Sequence, residues 1–390
     1  MHTDVAVLLL LLVVGSAMAP ILAPRLGVPE AVMQIAFGII LGVFGIGHHG
    51  APEEVLHLLA ELGFILLMFG AGLEIDFDSI EQGGVSGLVT SVGVAAGFSV
   101  VAAILAAAFG LPLFYVVLLG ATSVGLGVAV LREGGLLGAP VGQWVLLVGS
   151  IGEFITLISM TVFQVATRVG FSAPLFIDVG KLAALFIAGG VFLRYLAAWS
   201  WWNPGMFSRV FKKHDASEIG VRAALVACFL FTALAVGLGV EAILGSFIAG
   251  AVFRFVFREV HVLEEKMSAL GSGFFIPIFF ISVGVSFDLG QLSLAGLGKA
   301  GILMFFIMTA RLVPSIFLVR GEVTPRDALG VALLLGAPLT LLVAIAELGK
   351  DLGILDQANE SAIVLLAIIL SIALPVAFKA LFRDPDTSSA

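Results

Sequence analysis

The sequence predicts an all-α integral membrane protein of about thirteen transmembrane helices, built as an inverted-topology repeat with two crossed discontinuous helices. Three observations predict it. Hydrophobic residues make up 60% of the 390 and charged residues only 12%, with a mean hydropathy of +1.18, far above that of a chain folded in water. Apolar runs long enough to cross a ~30 Å hydrocarbon core follow one another with short polar breaks. Short motifs of the first half return, in the same order, in the second.

The runs lie at about 5–24, 30–47, 54–74, 84–109, 112–131, 142–168 and 176–200, then at about 218–238, 240–257, 268–287, 295–319, 327–348 and 361–382. The first resembles a signal peptide with a cleavage site at Ala17-Met18-Ala19. Met1-His2-Thr3-Asp4 lacks the basic charge of such a leader, however, and Pro20 would follow the cut, so it reads as a span. The longest polar stretch, 201–217, is too short for a soluble domain, and residues 1–390 read as a single membrane domain. Within it, repeat one covers about 5–168, a linker helix about 176–200, and repeat two about 218–382.

An odd number of spans puts the termini on opposite sides. The loops of one side then hold Arg25, Arg132, Arg209, Lys212, Lys213, Arg258 and Arg326 among others, and those of the other only Arg168, Lys181, Lys299 and Lys350. The rich side reads as cytoplasmic, with the N-terminus outside and the C-terminus inside, and Trp144, Trp199, Trp201 and Trp202 fall at the cytoplasmic interface. The net charge of -8 comes without any basic stripe, which excludes nucleic acid as a partner, and the single cysteine, Cys228, excludes an intramolecular disulfide or a thiolate cluster. There is no phosphate loop and no nucleophile with a base at a recognisable spacing, so the chain does not read as an enzyme and needs no cofactor. His48 and His49 read as solvated loop residues.

The repeat shows at an offset of roughly 210 residues. Gly27-Val28-Pro29-Glu30-Ala31 returns as Gly239-Val240-Glu241-Ala242, and Phe69-Gly70-Ala71-Gly72-Leu73-Glu74-Ile75-Asp76 as Ser282-Val283-Gly284-Val285-Ser286-Phe287-Asp288. Gly120-Ala121-Thr122-Ser123 returns as Gly336-Ala337-Pro338-Leu339, each at mid-depth of its span. Seven spans separate each pair, so the two copies cross the membrane in opposite directions. Pro338 interrupts its helix and frees carbonyls, which at that depth is tolerated only where protein or a water-filled cavity receives them. The repeat extends the break to Thr122-Ser123. The half-helix ends bring opposing partial charges to mid-membrane, where fixed charges balance them. The alternative is a packing kink at Pro338 with Thr122 and Ser123 bonding their own helix.

Two charges lie deep, Glu153 and Arg311. Each costs ~3 kcal/mol or more at the bilayer centre, which makes both functional candidates; a permanent Glu153–Arg311 salt bridge that fixes packing is the alternative. Glu30, Glu61, Glu241 and Glu347 lie nearer span ends, with Glu61 the strongest candidate among them for a further role. Ser150 and Thr156 fall at i−3 and i+3 of Glu153, so one helix face offers a carboxylate flanked by hydroxyls. Oxygen ligands suit hard cations, and a carboxylate in a low-dielectric site gains affinity for protons. Glu153 then holds a monovalent cation or a proton but not both. Arg311 would hold the empty, ionised carboxylate.

These residues resemble the monovalent cation:proton antiporter family, in the branch of NapA-type sodium/proton antiporters and the transport domain of Kef-type potassium efflux systems. The resemblance covers nearly the whole chain. It rests on Gly120-Ala121-Thr122-Ser123-Val124-Gly125, Phe279-Phe280-Ile281-Ser282-Val283-Gly284 and Gly336-Ala337-Pro338. It implies a dimerisation domain, a core domain of six helices that moves as an elevator, a homodimer in a bacterial inner membrane, and Na+ or K+ exchanged for H+. It also implies that Glu153 stands where the family has its ion-binding Asp, that Gly152 stands where sodium/proton members carry a first acid or an amide, and that Arg311, Thr122 and Ser123 match family positions. Loss of the first acid implies electroneutral, one-for-one exchange. Leu339-Thr340-Leu341 replaces the Arg-Gly-Glu often found after the proline, which leaves sodium against potassium open. A sodium-coupled organic anion symporter and an uncoupled, channel-like or sensor member of the same fold are the competing readings, and nothing in the sequence names a regulatory subunit.

Overall fold

The computed structural model describes residues 3–46, 51–73, 84–170, 218–238, 242–256, 266–267, 269–287, 294–319 and 323–382, with a few positions between 180 and 195. The linker helix at 176–200 falls mostly, and 201–217, Trp199, Trp201, Trp202, His48, His49 and Glu241 wholly, outside the described residues. Every regular element described is helical. In chain order these are α1 (Thr3–Leu26), α2 (Glu30–Val43), α3 (Ala51–Leu73), α4 (Gly84–Ala108), α5 (Phe114–Gly120), α6 (Gly125–Glu133) and α7 (Pro140–Val169). The second half holds α8 (Ile219–Gly237), α9 (Ala242–Val256), α10 (Ile276–Val285), α11 (Leu294–Ser315), α12 (Pro325–Leu335), α13 (Leu339–Asp351) and α14 (Gln357–Leu381).

Among the described residues eight helices are long and apolar enough to cross a membrane, or nine if α12 and α13, bent by 41°, form one span. Expected spans two, nine and ten appear as shorter apolar helices, Glu30–Val43, Leu244–Phe255 and Gly271–Val285. The count of about thirteen is therefore not confirmed. The physical reason is length: a helix of fourteen residues, like α2, rises only ~21 Å, short of the hydrocarbon thickness.

The chain divides into two compact units, each drawing on both halves of the sequence: Met1–Ile75 with Gln164–Phe287, and Asp76–Phe163 with Asp288–Ala390. In the first unit, α2 packs on α10 and α3 on α9. Both crossings are glycine contacts. A Cβ on Gly284 would meet the Ile35 carbonyl and come within 2.8 Å of Gly38 Cα and Ile39 N, and one on Gly72 would meet the Phe247 carbonyl and come within 2.7 Å of Ala251 N. The spacing from Gly38 to Gly250 equals that from Gly72 to Gly284, from Ile35 to Phe247 and from Phe69 to Ile281. One crossing thus maps onto the other with its partners exchanged, as a two-fold between repeats requires. Apolar side chains cannot drive helices together in lipid, so close backbone approach through small residues supplies the packing. Around it lie Leu8, Leu12, Leu41, Leu56, Ile278 and Ile281, with Phe64 stacked on Phe279 at 4.7 Å between centroids.

The second unit holds α4, α5, α6, most of α7, and α11 to α14. Both expected breaks are present. Helix α5 stops at Gly120, Ala121 turns to φ −58°, ψ 124°, and the Thr122 hydroxyl donates to the Gly120 carbonyl at 3.2 Å, a side-chain bond that competes with the helix. Helix α12 stops at Leu335, and Pro338 disfavours helical backbone at Ala337. The chain crosses Pro338 by a three-residue turn, Leu339 N–H to the Ala337 carbonyl at 2.9 Å, with φ −83° and ψ 64° at the proline. Helix α5 packs on α13 and α6 on α12: the first half of each interrupted helix lies on the second half of the other, so the two cross. Helix α12 begins with a capping box in which Thr324 accepts from Asp327 N–H and Asp327 accepts from Thr324 N–H.

The glycine contacts predict that Gly284→Ala and Gly72→Ala each destabilise the first unit by about 1–3 kcal/mol through overpacking. Thermal melting of purified protein in detergent should show a drop of several degrees for each. Gly237→Ala, where a Cβ meets open space, should leave the midpoint unchanged.

Candidate functional site

The site is built where α7 and α11 meet the two helix breaks, and every residue in it belongs to the second unit. Glu153, from the middle of α7, is 4% exposed. Its carboxylate accepts the Ser123 hydroxyl at 3.0 Å and the Val124 N–H at 3.3 Å. Val124 also accepts the Val128 N–H at 2.9 Å, so it is the residue from which α6 starts. Glu153 therefore sits on the N-terminal end of α6, where an anion is favoured by the helix dipole and by amide donors that have no partner within the helix.

Arg311, from α11, is wholly buried. Its Nη2 donates to the Ala121 carbonyl and its Nε to the Leu335 carbonyl at 3.2 Å. These are carbonyls at the C-terminal ends of α5 and α12. One guanidinium thus satisfies freed acceptors at both breaks and places a cation where both dipoles are negative. Its Cζ lies over the Phe98 ring of α4, 4.8 Å from the centroid, and Nη1 has no hydrogen-bond partner among the described residues. The guanidinium bonds carbonyls, because two helix ends leave acceptors that need a buried donor.

Thr156 joins α7 to the first break. Its hydroxyl donates to the Gly152 carbonyl at 2.7 Å and accepts the Thr122 N–H at 3.0 Å. Gly152 allows this approach, since a Cβ there would come within 2.9 Å of Thr122 Cγ2. Ser150 is buried with a hydroxyl that makes no hydrogen bond among the described residues. Gly120 and Ala121 lie at the first break, and Gly336, Ala337 and Pro338 at the second.

Of the residues named from sequence, the structure joins Ser123 to Glu153, Thr122 to Thr156, and Arg311 to Ala121. Glu61 is exposed on α3, in the other unit. Sequence reasoning missed the Val124 N–H, the Leu335 carbonyl and Phe98. The first two are backbone groups that no residue type announces; the third was one phenylalanine among 32. It also missed Glu360, buried in the first turn of α14 and paired with Lys350 at 3.2 Å. Among the described residues no three His, Cys, Asp or Glu side chains gather as a polyvalent metal site would require. The carboxylate has instead one hydroxyl and one backbone N–H as described donors.

Two crossed interrupted helices with an acid at one half-helix start and an arginine at two half-helix ends define a membrane protein of the ion-transporting kind, in which broken helices form the binding region. The family described as sodium/hydrogen exchanger, transmembrane, matches residues 10–383, and the chain belongs to it. It is similar to YjbQ of Bacillus subtilis (strain 168), with 30% identity over 99% of this chain and 64% of that protein; the chain thus spans about two thirds of that relative's length. It is also similar to the Na(+)/H(+)-K(+) antiporter GerN of Bacillus cereus, with 27% identity over 96% of each. The fold matches that of the sodium proton antiporter MjNhaP1 from Methanocaldococcus jannaschii with a TM-score of 0.62 at 14% identity, over 97% of this chain and 96% of that one.

Thr156→Val removes the acceptor of a buried N–H and leaves Thr122 unsatisfied, at about 1–3 kcal/mol. Thermal melting should show a clear loss of stability for Thr156→Val and near wild-type behaviour for Thr156→Ser, which keeps the hydroxyl.

Proposed function

We propose that this protein is a secondary active transporter that exchanges one monovalent cation, Na+ or K+, for one H+, with Glu153 as the site that both ions share. The observation that carries the reading is the Glu153 carboxylate, buried at an interrupted helix with Ser123 and Val124 as donors. A cation there replaces hydration oxygens with the carboxylate, and Ser123 and Ser150 offer further oxygens on its approach. A proton removes the charge that the cation needs. Competition for one carboxylate couples the two flows in opposite directions, provided the empty, ionised site does not cross the membrane. Membership of the sodium/hydrogen exchanger family supports cation:proton exchange.

Gly152 next to Glu153 supports an electroneutral, one-for-one stoichiometry, because no second acid adjoins the site residue. Alternating access of the elevator type is supported by the composition of the site: the hydrogen bonds described for it join residues of one unit, which can travel without breaking them. The charge asymmetry of the loops supports an N-terminus outside and a C-terminus in the cytoplasm of a bacterial inner membrane. A homodimer is the assembly we assign, on the resemblance to the antiporter fold.

Purified protein in proteoliposomes should dissipate an imposed pH gradient when Na+ or K+ is added, as read by a pH-sensitive dye. Glu153→Gln, close in size but unable to ionise, should abolish the response; exchange at the wild-type rate by that variant would rule the mechanism out. Clamping the membrane potential should leave the wild-type rate unchanged. Lowering the pH protonates the carboxylate, so the apparent KM for the cation should rise by about tenfold per pH unit once the proton is the prevailing occupant.

A further inference from the structure

We propose that Phe98 is a positioning residue for the cation site, acting through Arg311. Resting on the function proposed above, this assigns a role to a helix, α4, that contributes no polar ligand to the site. The Phe98 ring is wholly buried and faces the guanidinium at 4.8 Å. The level of this contact is fixed by a tight crossing one residue away, where a Cβ on Gly97 would stand 2.9 Å from Pro314 Cβ of α11. Arg311 spends Nε and Nη2 on the carbonyls of Leu335 and Ala121, while Nη1 has no hydrogen-bond partner among the described residues. The charge of the guanidinium is met by the negative face of the ring, an attraction that strengthens when water is excluded.

The same unit contains a second example of the device. Arg326 donates from Nε and Nη2 to the Leu381 carbonyl, at the C-terminal end of α14, at 3.0 and 2.6 Å, and its Cζ lies 4.8 Å from the Phe382 ring. In both places a guanidinium closes a helix end while its Cζ lies over a phenylalanine ring. Arg326 is exposed, with water available to its remaining donors; Arg311 is sealed in, and the ring is what remains for it.

The consequence reaches Glu153 through covalent and hydrogen-bonded neighbours. Phe98 orients Arg311, Arg311 holds the Ala121 carbonyl, and Ala121 leads directly into Thr122, Ser123 and Val124, of which the last two bond the carboxylate. A ring that holds less well lets this stretch drift away from Glu153. The cation must then reorder it on binding, which raises KM and leaves the maximal rate largely in place.

The test replaces the ring's electrostatics without its shape. Trifluorophenylalanine incorporated at position 98 keeps the size of Phe98 and strips the face of its negative potential; Phe98→Leu removes the ring, and Phe382→Leu is the control at the exposed pair. Two readouts are taken on the full chain: cation KM and maximal rate in proteoliposomes, and hydrogen exchange of the amides of 121–124 and of Gly336, Ala337 and Leu339 in lipid nanodiscs. The fluorinated protein should show a KM raised about five- to tenfold, with amide exchange at both breaks accelerated by a similar factor and an unchanged pattern in α14. Phe382→Leu should change neither. Wild-type KM and protection in the fluorinated protein would overturn the proposal, and would do so even if Phe98→Leu were impaired, since Phe98 would then serve as packing alone. If wild-type vesicles exchange no cation, the transport reading fails, and the amide-exchange comparison still decides the part played by Phe98.

Discussion

Interrupting a helix inside a membrane exposes amide and carbonyl groups that lipid cannot bond, and the second unit of this protein does so twice, at Ala121–Val124 and at Gly336–Pro338. Everything else in the site follows from how those ends are closed. Each unsatisfied group would cost several kcal/mol in hydrocarbon, so charges that would themselves be costly in lipid become favourable when they meet a helix end of the opposite sign. Arg311 closes carbonyls of two half-helices at once, and Glu153 closes the start of a third. The buried charges are thus parts of the backbone's hydrogen bonding before they are anything else.

That arrangement gives Glu153 two duties. It stabilises the start of α6, and it is the buried carboxylate on which the proposed exchange turns. A group that serves as a cap cannot wander, so any ion reaching it meets a preset geometry of Ser123 hydroxyl and Val124 amide. Arg311, by contrast, is held by two carbonyls and lies over a phenylalanine ring.

Much of this was legible in the sequence. Pro338 marked the second break, and the repeat carried it to Thr122 and Ser123, which have no helix-breaking residue of their own. Glu153 and Arg311 stood out because charge is scarce in these spans, and Gly152 because of the family resemblance. Sequence could not say which group each charge would meet, since the partners are the carbonyls of Ala121 and Leu335 and the N–H of Val124. Thr156 was read as a hydroxyl flanking Glu153 on one helix face, and its hydroxyl binds two backbone groups that no residue type announces. The count of about thirteen spans is not confirmed, because among the described residues α2, α9 and α10 are shorter than a bilayer. Glycines gave the repeat its sharpest support only in three dimensions, where Gly38 with Gly284 and Gly72 with Gly250 form matching crossings.

The central claim is that one carboxylate is occupied by a cation or by a proton, never by both. It is tested most directly by proton release from purified, unenergised protein in weakly buffered detergent solution, near the pH at which half the site is protonated. Adding Na+ or K+ should release a substoichiometric burst of protons, approaching one per chain as the starting pH is lowered. The same amount of choline chloride should release none. Cation binding detected by calorimetry without any proton release across that pH range would contradict the account.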